Sequence, residues 1–262
     1  MAKSGPFGTL AKLRDRPIPD QRPVLKKVRG YRAYKLELSD TRANEPLVDA
    51  RNSGLAGVSF YAISRNPPYY SAVPGATPQI RLRQGVVERL QLVNARLAEI
   101  ELEVYIFDGW RPRAVQKYFH GTWMPRELRK RNPKLTPDQL RQETERYWAA
   151  PTSDPMSPAP HATGGAVDLT LRWRETGEHL WMGSIFDDAS PIARADHFER
   201  RSAGAFAFSD EEARANRRLL HWLMREQGFA PNPGEWWHFS YGELMWAKLT
   251  DAPHAFYGLC EK

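Results

Sequence analysis

The chain has 262 residues, of which 41% are hydrophobic and 26% are charged, with a formal net charge of +7 and one cysteine. This composition is typical of a soluble globular protein with a substantial core, and the chain has no apolar run of the roughly 18 residues that a transmembrane helix needs. One cysteine excludes an intrachain disulfide bond and a zinc site built from several cysteines, so any metal ion would be held by histidine and carboxylate side chains.

The positive charge is concentrated at the N-terminus. Residues 1–36 contain ten Lys or Arg against two Asp or Glu, whereas the remainder contains 28 against 29. Because the rest of the chain is nearly neutral, we do not expect a basic groove for DNA or RNA. With prolines among its charges, segment 1–46 is predicted to be a basic N-terminal arm, extended or partly disordered. Residues 47–262 are predicted to form a single folded domain.

Apolar periodicity and turn residues predict the elements of this domain. Helices are predicted where apolar residues recur three and four positions apart or follow a capping-box pattern, and strands where β-branched and aromatic residues cluster. The predicted elements are a helix over residues 79–97, a strand over 102–107, a helix over 136–148, a strand over 166–171, a helix from 209 that ends at Gly228, and a strand over 235–239. Residues 113–157 are predicted to be a helical insertion that either encloses a pocket or packs on the surface.

The strand at 102–107 leads directly into the sequence DGWRP at residues 108–112. Its glycine and proline end the strand and place Arg111 in the loop at the strand exit, where binding residues are commonly presented. Arg111 would therefore contact a ligand, or would simply pair with Asp108.

The stretch PAPHATGGAVDLTL at residues 158–171 places a histidine and an aspartate on either side of a glycine pair. In a straight strand, the seven-residue separation of His161 and Asp168 would point their side chains to opposite faces. A turn at Gly164-Gly165 would let both reach one point as metal ligands. The alternative is a capped turn in which Asp168 pairs with an arginine, since an unpaired buried charge is costly.

A third candidate ligand, His238, lies in the sequence EWWHF at residues 235–239. Three protein ligands plus a water molecule form the open arrangement of catalytic zinc sites, and His161, Asp168 and His238 would supply such a set. Glu235 would then be the base that takes a proton from the bound water. In the predicted strand, however, Glu235 and His238 would diverge, so a bulge or a twist would be needed.

Four separated motifs resemble the zinc D-alanyl-D-alanine dipeptidase family, whose best-known members remove D-Ala-D-Ala in vancomycin resistance. They are DGWRP at 108–112, HATGGAVD at 161–168, MGSIFD at 182–187 and EWWH at 235–238, and the resemblance extends from about residue 47 to 245. Together with the predicted elements, the resemblance leads us to expect a single α+β domain with a small central antiparallel sheet flanked by helices and the zinc site on the sheet.

The resemblance implies a role for each matching residue. The three candidate ligands would bind Zn²⁺, and Glu235 would be the catalytic base. Arg111 would stabilise the oxyanion of the tetrahedral intermediate. Asp187 would hold the free ammonium group of a dipeptide such as D-Ala-D-Ala, which would restrict the enzyme to dipeptides because a longer chain leaves that charge unpaired.

Two features depart from the family pattern. Members commonly carry serine two residues before the first ligand, where this chain has Ala159, and the aromatic residue expected to contact substrate near residues 47–57 has no clear counterpart. Two other functions stay open, a peptidoglycan D,D-carboxypeptidase or endopeptidase with the same zinc site, and a non-catalytic cell-wall-binding module. We expect a cytoplasmic location, or a periplasmic one if a leader is removed.

Overall fold

A computed structural model describes residues 7–148, 150–200 and 207–260. The helices are α1 (Ala11–Asp15), α2 (Arg22–Val28), α3 (Gln84–Leu97), α4 (Arg113–Tyr118), α5 (Met124–Arg131), α6 (Pro137–Tyr147), α7 (Phe208–Glu226) and α8 (Leu244–Thr250). The strands are β1 (Leu47–Asp49), β2 (Ala56–Gly57), β3 (Arg81–Arg83), β4 (Leu102–Asp108), β5 (Ala166–Trp173), β6 (Ala230–Pro231) and β7 (His238–Ser240). In the described part of the chain, no helix is both long enough and apolar enough to cross a membrane.

The strands of the described residues form a five-stranded sheet in the order β2-β4-β5-β7-β6 and a separate pair, β1-β3. Strands β4, β5, β7 and β6 pair antiparallel with their neighbours, whereas the short edge strand β2 runs parallel to β4. The predicted α+β fold with a small antiparallel sheet is therefore confirmed, with one parallel pair at its edge.

The register of the central strands places polar residues side by side at one end of the sheet. Asp108 on β4 lies opposite Asp168 on β5, which in turn lies opposite His238 on β7. The β4–β5 register shifts between Ile106 and Asp108, so Phe107 is an extra residue in β4. Such a bulge turns the following side chain to the other face, and without it Phe107 rather than Asp108 would lie opposite Asp168.

The predicted helices are confirmed, with shifts at their ends. The apolar stripe of the first is buried on α3, which begins at Gln84 because the preceding residues form β3. The capping box at Thr136 opens α6 as predicted. Helix α7 begins at Phe208, one residue before the predicted start, with the Asp210 carboxylate accepting a hydrogen bond from the Ala207 backbone N–H.

Residues 7–46 differ from the expectation of an extended or partly disordered arm, while residues 1–6 lie outside the described residues. Helix α1 packs on α7 and helix α2 packs on α8, and Leu10 and Leu13 belong to the main hydrophobic core. Arg14 forms an ion pair with Glu212 of α7 at 3.0 Å. The prediction of an extended arm was based on the high charge of this segment. Its few buried leucines, however, hold it against the rest of the fold. The division into an arm and a catalytic domain at residue 46 stays a prediction.

Leu13→Ala should lower the free energy of unfolding by about 2–5 kcal/mol, because the leucine is only 4% exposed and its truncation leaves a cavity. Urea denaturation measures this change. Leu38→Ala is the matched control, since Leu38 is 46% exposed and its truncation should change stability by about 0.5 kcal/mol or less. Equal effects of the two substitutions would show that the N-terminal segment is not docked on the body.

Candidate metal centre

The three candidate ligands converge at the buried end of the central sheet, and each is at most 6% exposed. Asp168 and His238 are direct neighbours on β5 and β7. His161 comes from the 3₁₀-helical segment Pro160–Thr163, and Gly164, with φ of +73°, turns the chain from this segment into β5. The turn predicted at the glycine pair therefore brings His161 back to Asp168.

The ligand atoms lie close together. His161 Nε2 is 3.1 Å from His238 Nδ1 and 3.2 Å from Asp168 Oδ2, and His238 Nδ1 is 3.0 Å from Asp168 Oδ1. Ligands bound at ~2.0–2.1 Å around a tetrahedral zinc ion would be about 3.3 Å apart. Measured to the nearer Asp168 oxygen in each case, these spacings are close to those of a zinc site with three protein ligands.

The chemistry of these donors also fits a cation. His161 Nδ1 is 2.8 Å from the carbonyl oxygen of Gly109, to which it can only donate, so the lone pair of a neutral ring lies on Nε2. Asp168 Oδ1 is buried, and it faces His238 Nδ1 at 3.0 Å. Burial opposes ionisation of Asp168, but His161 and His238 outweigh it and lower its pKa. Converging lone pairs around an ionised carboxylate favour a bound metal ion.

Glu235 lies beside this cluster because the chain turns there. The predicted strand over 235–239 was wrong at its start: β7 begins only at His238, and the His238 backbone N–H donates to the carbonyl of Glu235 at 3.4 Å in a turn. Glu235 Oε2 consequently lies 3.9 Å from His238 Nδ1. Asn232 Nδ2 donates to the same oxygen at 2.9 Å. The side chain is 32% exposed, and the protein packed around it raises its pKa, although His238 opposes this shift.

Arg111 joins the cluster to its surroundings. Its Nε donates to Asp108 Oδ2 at 2.8 Å, and its Nη2 donates to Asp168 Oδ2 at 3.2 Å and to the Tyr61 hydroxyl at 3.3 Å. The pairing of Arg111 with Asp108 is therefore confirmed, and Arg111 also reaches the candidate metal ligand Asp168, while its contact with a bound ligand stays a prediction. The pairing with Asp108 fixes the plane of the guanidinium group.

Asp187 is a half-buried carboxyl next to this network. Its Oδ2 accepts hydrogen bonds from the Tyr61 and Tyr69 hydroxyls at 2.7 and 2.8 Å. Burial raises the pKa of Asp187 to about 8, although Arg111 and the two tyrosine hydroxyls lower it. Among the described residues, none forms an ion pair with Asp187, so a cation arriving with a ligand would supply the positive charge that favours the ionised carboxylate.

The insertion after Arg111 contributes three rings to an aromatic wall beside the site. Phe119 stacks on Trp148 with ring centroids 4.0 Å apart, and Tyr69 contacts Phe119 and Trp123 at 4.8 and 4.7 Å. The Arg111 guanidinium lies 5.0 Å from the Tyr61 ring and 4.9 Å from the Trp148 ring. We call this set of rings the aromatic wall: Tyr61, Tyr69, Phe119, Trp123 and Trp148. Three of these rings come from the insertion, and its predicted role of enclosing a pocket stays a prediction.

Comparison with known proteins agrees with this geometry. Residues 80–255 match a family model described as D-ala-D-ala dipeptidase. A D-alanyl-D-alanine dipeptidase of Synechocystis sp. is 31% identical over 227 residues, which cover 79% of this chain and 92% of that protein. The chain belongs to the D-Ala-D-Ala dipeptidase family of zinc metallopeptidases.

Two further comparisons give weaker similarity to this dipeptidase-family chain. A D-alanyl-D-alanine dipeptidase of Enterococcus faecalis is 28% identical over 172 residues, covering 65% of this chain and 74% of that protein. A solved structure described as VanYB in complex with D-Alanine-D-Alanine has a TM-score of 0.40 at 14% identity, covering 75% of this chain and 94% of that one.

Three residues of the dipeptidase-family site had no recognisable pattern in the sequence. Tyr61 lies in a stretch without clear periodicity and Tyr69 in a proline-rich loop, yet both reach Asp187. Asn232 belongs to the Asn-Pro-Gly turn before Glu235, and only the turn itself could be predicted. The serine expected at position 159 is replaced by Ala159, which is buried and cannot donate a side-chain hydrogen bond.

Removal of zinc with a chelator should lower the melting temperature, because an ion that binds only the folded chain stabilises it by about 2.7 kcal/mol at 100 times its Kd. Differential scanning calorimetry with zinc and with chelator measures the difference. Asp168→Ala should abolish it. His221→Ala should keep it, since His221 is a buried histidine outside the cluster. A wild-type melting temperature independent of zinc would contradict the site.

Proposed function

We propose that this chain hydrolyses dipeptides, with D-Ala-D-Ala as the substrate, by a zinc-dependent reaction in which Glu235 is the base. One observation carries the proposal: a three-ligand cluster with spacings close to those of a zinc site, which both Glu235 and Arg111 adjoin. The names of the family and of the relatives support D-Ala-D-Ala as the substrate.

His161, Asp168 and His238 would hold the ion. When bound, zinc supplies a Lewis acid that lowers the pKa of a water molecule towards ~7 and polarises a carbonyl group. Glu235 would accept the proton of the attacking water and deliver it to the amine that leaves. The hydrogen bond from Asn232 to Oε2 orients the Glu235 carboxylate, and a raised pKa suits a group that must both take and release a proton.

Arg111 would stabilise the negative charge that develops on the carbonyl oxygen. It is a permanent cation, and it is buried beside Asp168, where water screens its charge little. Its bond to Asp108 positions it before the substrate arrives. Loss of one such stabilising donor typically lowers kcat by ~10²–10³.

Asp187 would bind the ammonium group of the dipeptide. Tyr61 is hydrogen-bonded to both Asp187 and Arg111, so the carboxylate lies within a few hydrogen bonds of the reacting centre. A free amino terminus can reach it only when the scissile bond is one residue away. The aromatic wall beside Asp187 supports the same restriction, and both favour a dipeptidase over a carboxypeptidase with an open cleft.

Glu235→Gln should bind zinc like the wild type. Its kcat should be lower by a factor of roughly 10²–10⁴, because the amide cannot accept a proton. Metal analysis and D-alanine release from D-Ala-D-Ala measure the two effects. Glu226→Gln, which changes a partly exposed carboxylate on α7, is the control and should keep full activity. Turnover of Glu235→Gln at the wild-type rate would remove Glu235 from the mechanism.

Asp187→Asn should lower kcat/KM for D-Ala-D-Ala by roughly 10–100-fold, since a hydrogen bond to a charged group contributes about 1.5–3 kcal/mol. Hydrolysis of N-acetyl-D-Ala-D-Ala, which lacks the ammonium group, should change little. Asp188→Asn is the matched control at the neighbouring position. If the wild type prefers a muropeptide to D-Ala-D-Ala, the carboxypeptidase alternative holds and the role of Asp187 fails.

A further inference from the structure

Asp187 lies in the middle of residues 182–194, which we call the Asp187 segment and which are irregular apart from a short 3₁₀ turn at Pro191–Ala193. The backbone φ of Asp187 is +59°. This left-handed conformation is unfavourable for a residue with a Cβ atom, although aspartate tolerates it better than most. Such a conformation persists only where the surrounding structure holds it. The direction of the Asp187 side chain therefore depends on the contacts that hold this segment.

Arg217 of α7 contacts both ends of the Asp187 segment. Its Nε donates to the carbonyl oxygen of Met182 at 2.6 Å. Its Nη1 donates to the carbonyl oxygens of Ile192 and Arg194 at 2.9 and 2.8 Å. Met182 and Ile192 lie five residues before and five residues after Asp187. One planar guanidinium group, with donors fixed relative to one another, thus holds the two ends of the segment together.

The burial of Arg217 is unfavourable by itself, and its hydrogen bonds show what offsets it. The residue is 2% exposed, and burial lowers the pKa of its guanidinium group to about 9, so the group stays charged at neutral pH. In the described part of the chain, all of its hydrogen bonds go to carbonyl oxygens of the Asp187 segment. An apolar side chain of similar volume would fill the same space without burying a charge. The arginine is therefore explained by the segment that it holds.

We infer that Arg217 is a positioning residue for substrate specificity, which holds the Asp187 segment so that Asp187 is presented to the ammonium group of the dipeptide. The inference rests on the role of Asp187 in the proposed function. Asp187 Oδ2 accepts hydrogen bonds from the Tyr61 and Tyr69 hydroxyls, and these bonds need the segment to lie where Arg217 holds it. A binding group must be held within about 0.5 Å of its productive position to be effective.

The alternative is that Arg217 only packs in the core. Its guanidinium group lies 4.7 Å from the Phe198 ring and 5.6 Å from the Trp236 ring, and Phe186, within the segment, is itself buried. Replacing a residue that only packs would lower the stability of the fold and would affect every substrate alike. Replacing a positioning residue would affect the substrates that use Asp187.

The first test compares two substrates that differ in the group that Asp187 is proposed to bind. Arg217→Met should lower kcat/KM for D-Ala-D-Ala roughly 10-fold, within the loss expected when the Asp187 contact is removed. It should change kcat/KM for N-acetyl-D-Ala-D-Ala by less than about threefold. Arg218→Met is the matched control on α7, because it removes an ion pair with Glu199 and no contact of the segment, and it should keep the wild-type ratio. Equal losses for the two substrates, or no loss for D-Ala-D-Ala, would overturn the inference.

The second test asks whether Arg217 acts through Asp187. In the Asp187→Asn background, Arg217→Met should cause little further loss of kcat/KM, because the contact that it supports is already absent. Additive losses would contradict the inference. If Arg217→Met does not fold, Arg217→Lys takes its place in both tests. Lysine keeps the charge but donates from a single nitrogen atom, so a smaller loss of about threefold is expected for D-Ala-D-Ala, and the same outcomes overturn the inference.

A crystal structure of the Arg217 variant separates failure of this inference from failure of the proposed function, because it needs no activity. The Asp187 carboxylate should move out of hydrogen-bond distance of the Tyr61 and Tyr69 hydroxyls, whereas the three candidate metal ligands keep their positions. If the carboxylate moves but the wild type hydrolyses no dipeptide, the positioning role stands and the dipeptidase proposal fails. If the wild type hydrolyses D-Ala-D-Ala and the carboxylate of the variant stays in place, only the positioning role fails.

Discussion

The pairing of β4, β5 and β7 sets Asp108, Asp168 and His238 side by side across the sheet. Side chains alternate between the faces of a strand, so a slip of one residue in either pairing would turn Asp168 away from its neighbours. Val167 and Leu169, on either side of Asp168, are fully buried in the core. The hydrophobic face of β5 thus fixes the register, and the register places the polar residues that the chemistry needs.

A shortage of positive charge follows from this arrangement. Four carboxyl groups, those of Asp108, Asp168, Asp187 and Glu235, lie around the single guanidinium group of Arg111, and three of the four have raised pKa values because they are packed away from water. Buried negative charge is stable only when it is paired. The proposed occupants, a metal ion and an ammonium group, are both cations. The excess of carboxyl groups in the folded site therefore matches the charge of the ligands that it is proposed to bind.

The sequence predicted the parts of the site whose residues come in recognisable local patterns. Local rules predicted the glycine turn between His161 and Asp168 and the position of Arg111 at the exit of β4. The motifs of the family resemblance predicted the role of Asp187. The convergence of Glu235 with His238 could not be predicted, because aromatic residues suggested a strand where Asn232 starts a turn. The two tyrosines on Asp187 were missed for a different reason: their contacts span more than 100 residues of sequence, and nothing local specifies them.

The account depends most on where the metal binds. Anomalous X-ray scattering at the zinc absorption edge, from crystals grown with zinc, measures this position directly. The account predicts a single strong site at ~2.0–2.2 Å from His161 Nε2, a carboxylate oxygen of Asp168 and His238 Nδ1. A zinc ion elsewhere on the chain, or one bound without His238 Nδ1, would contradict it.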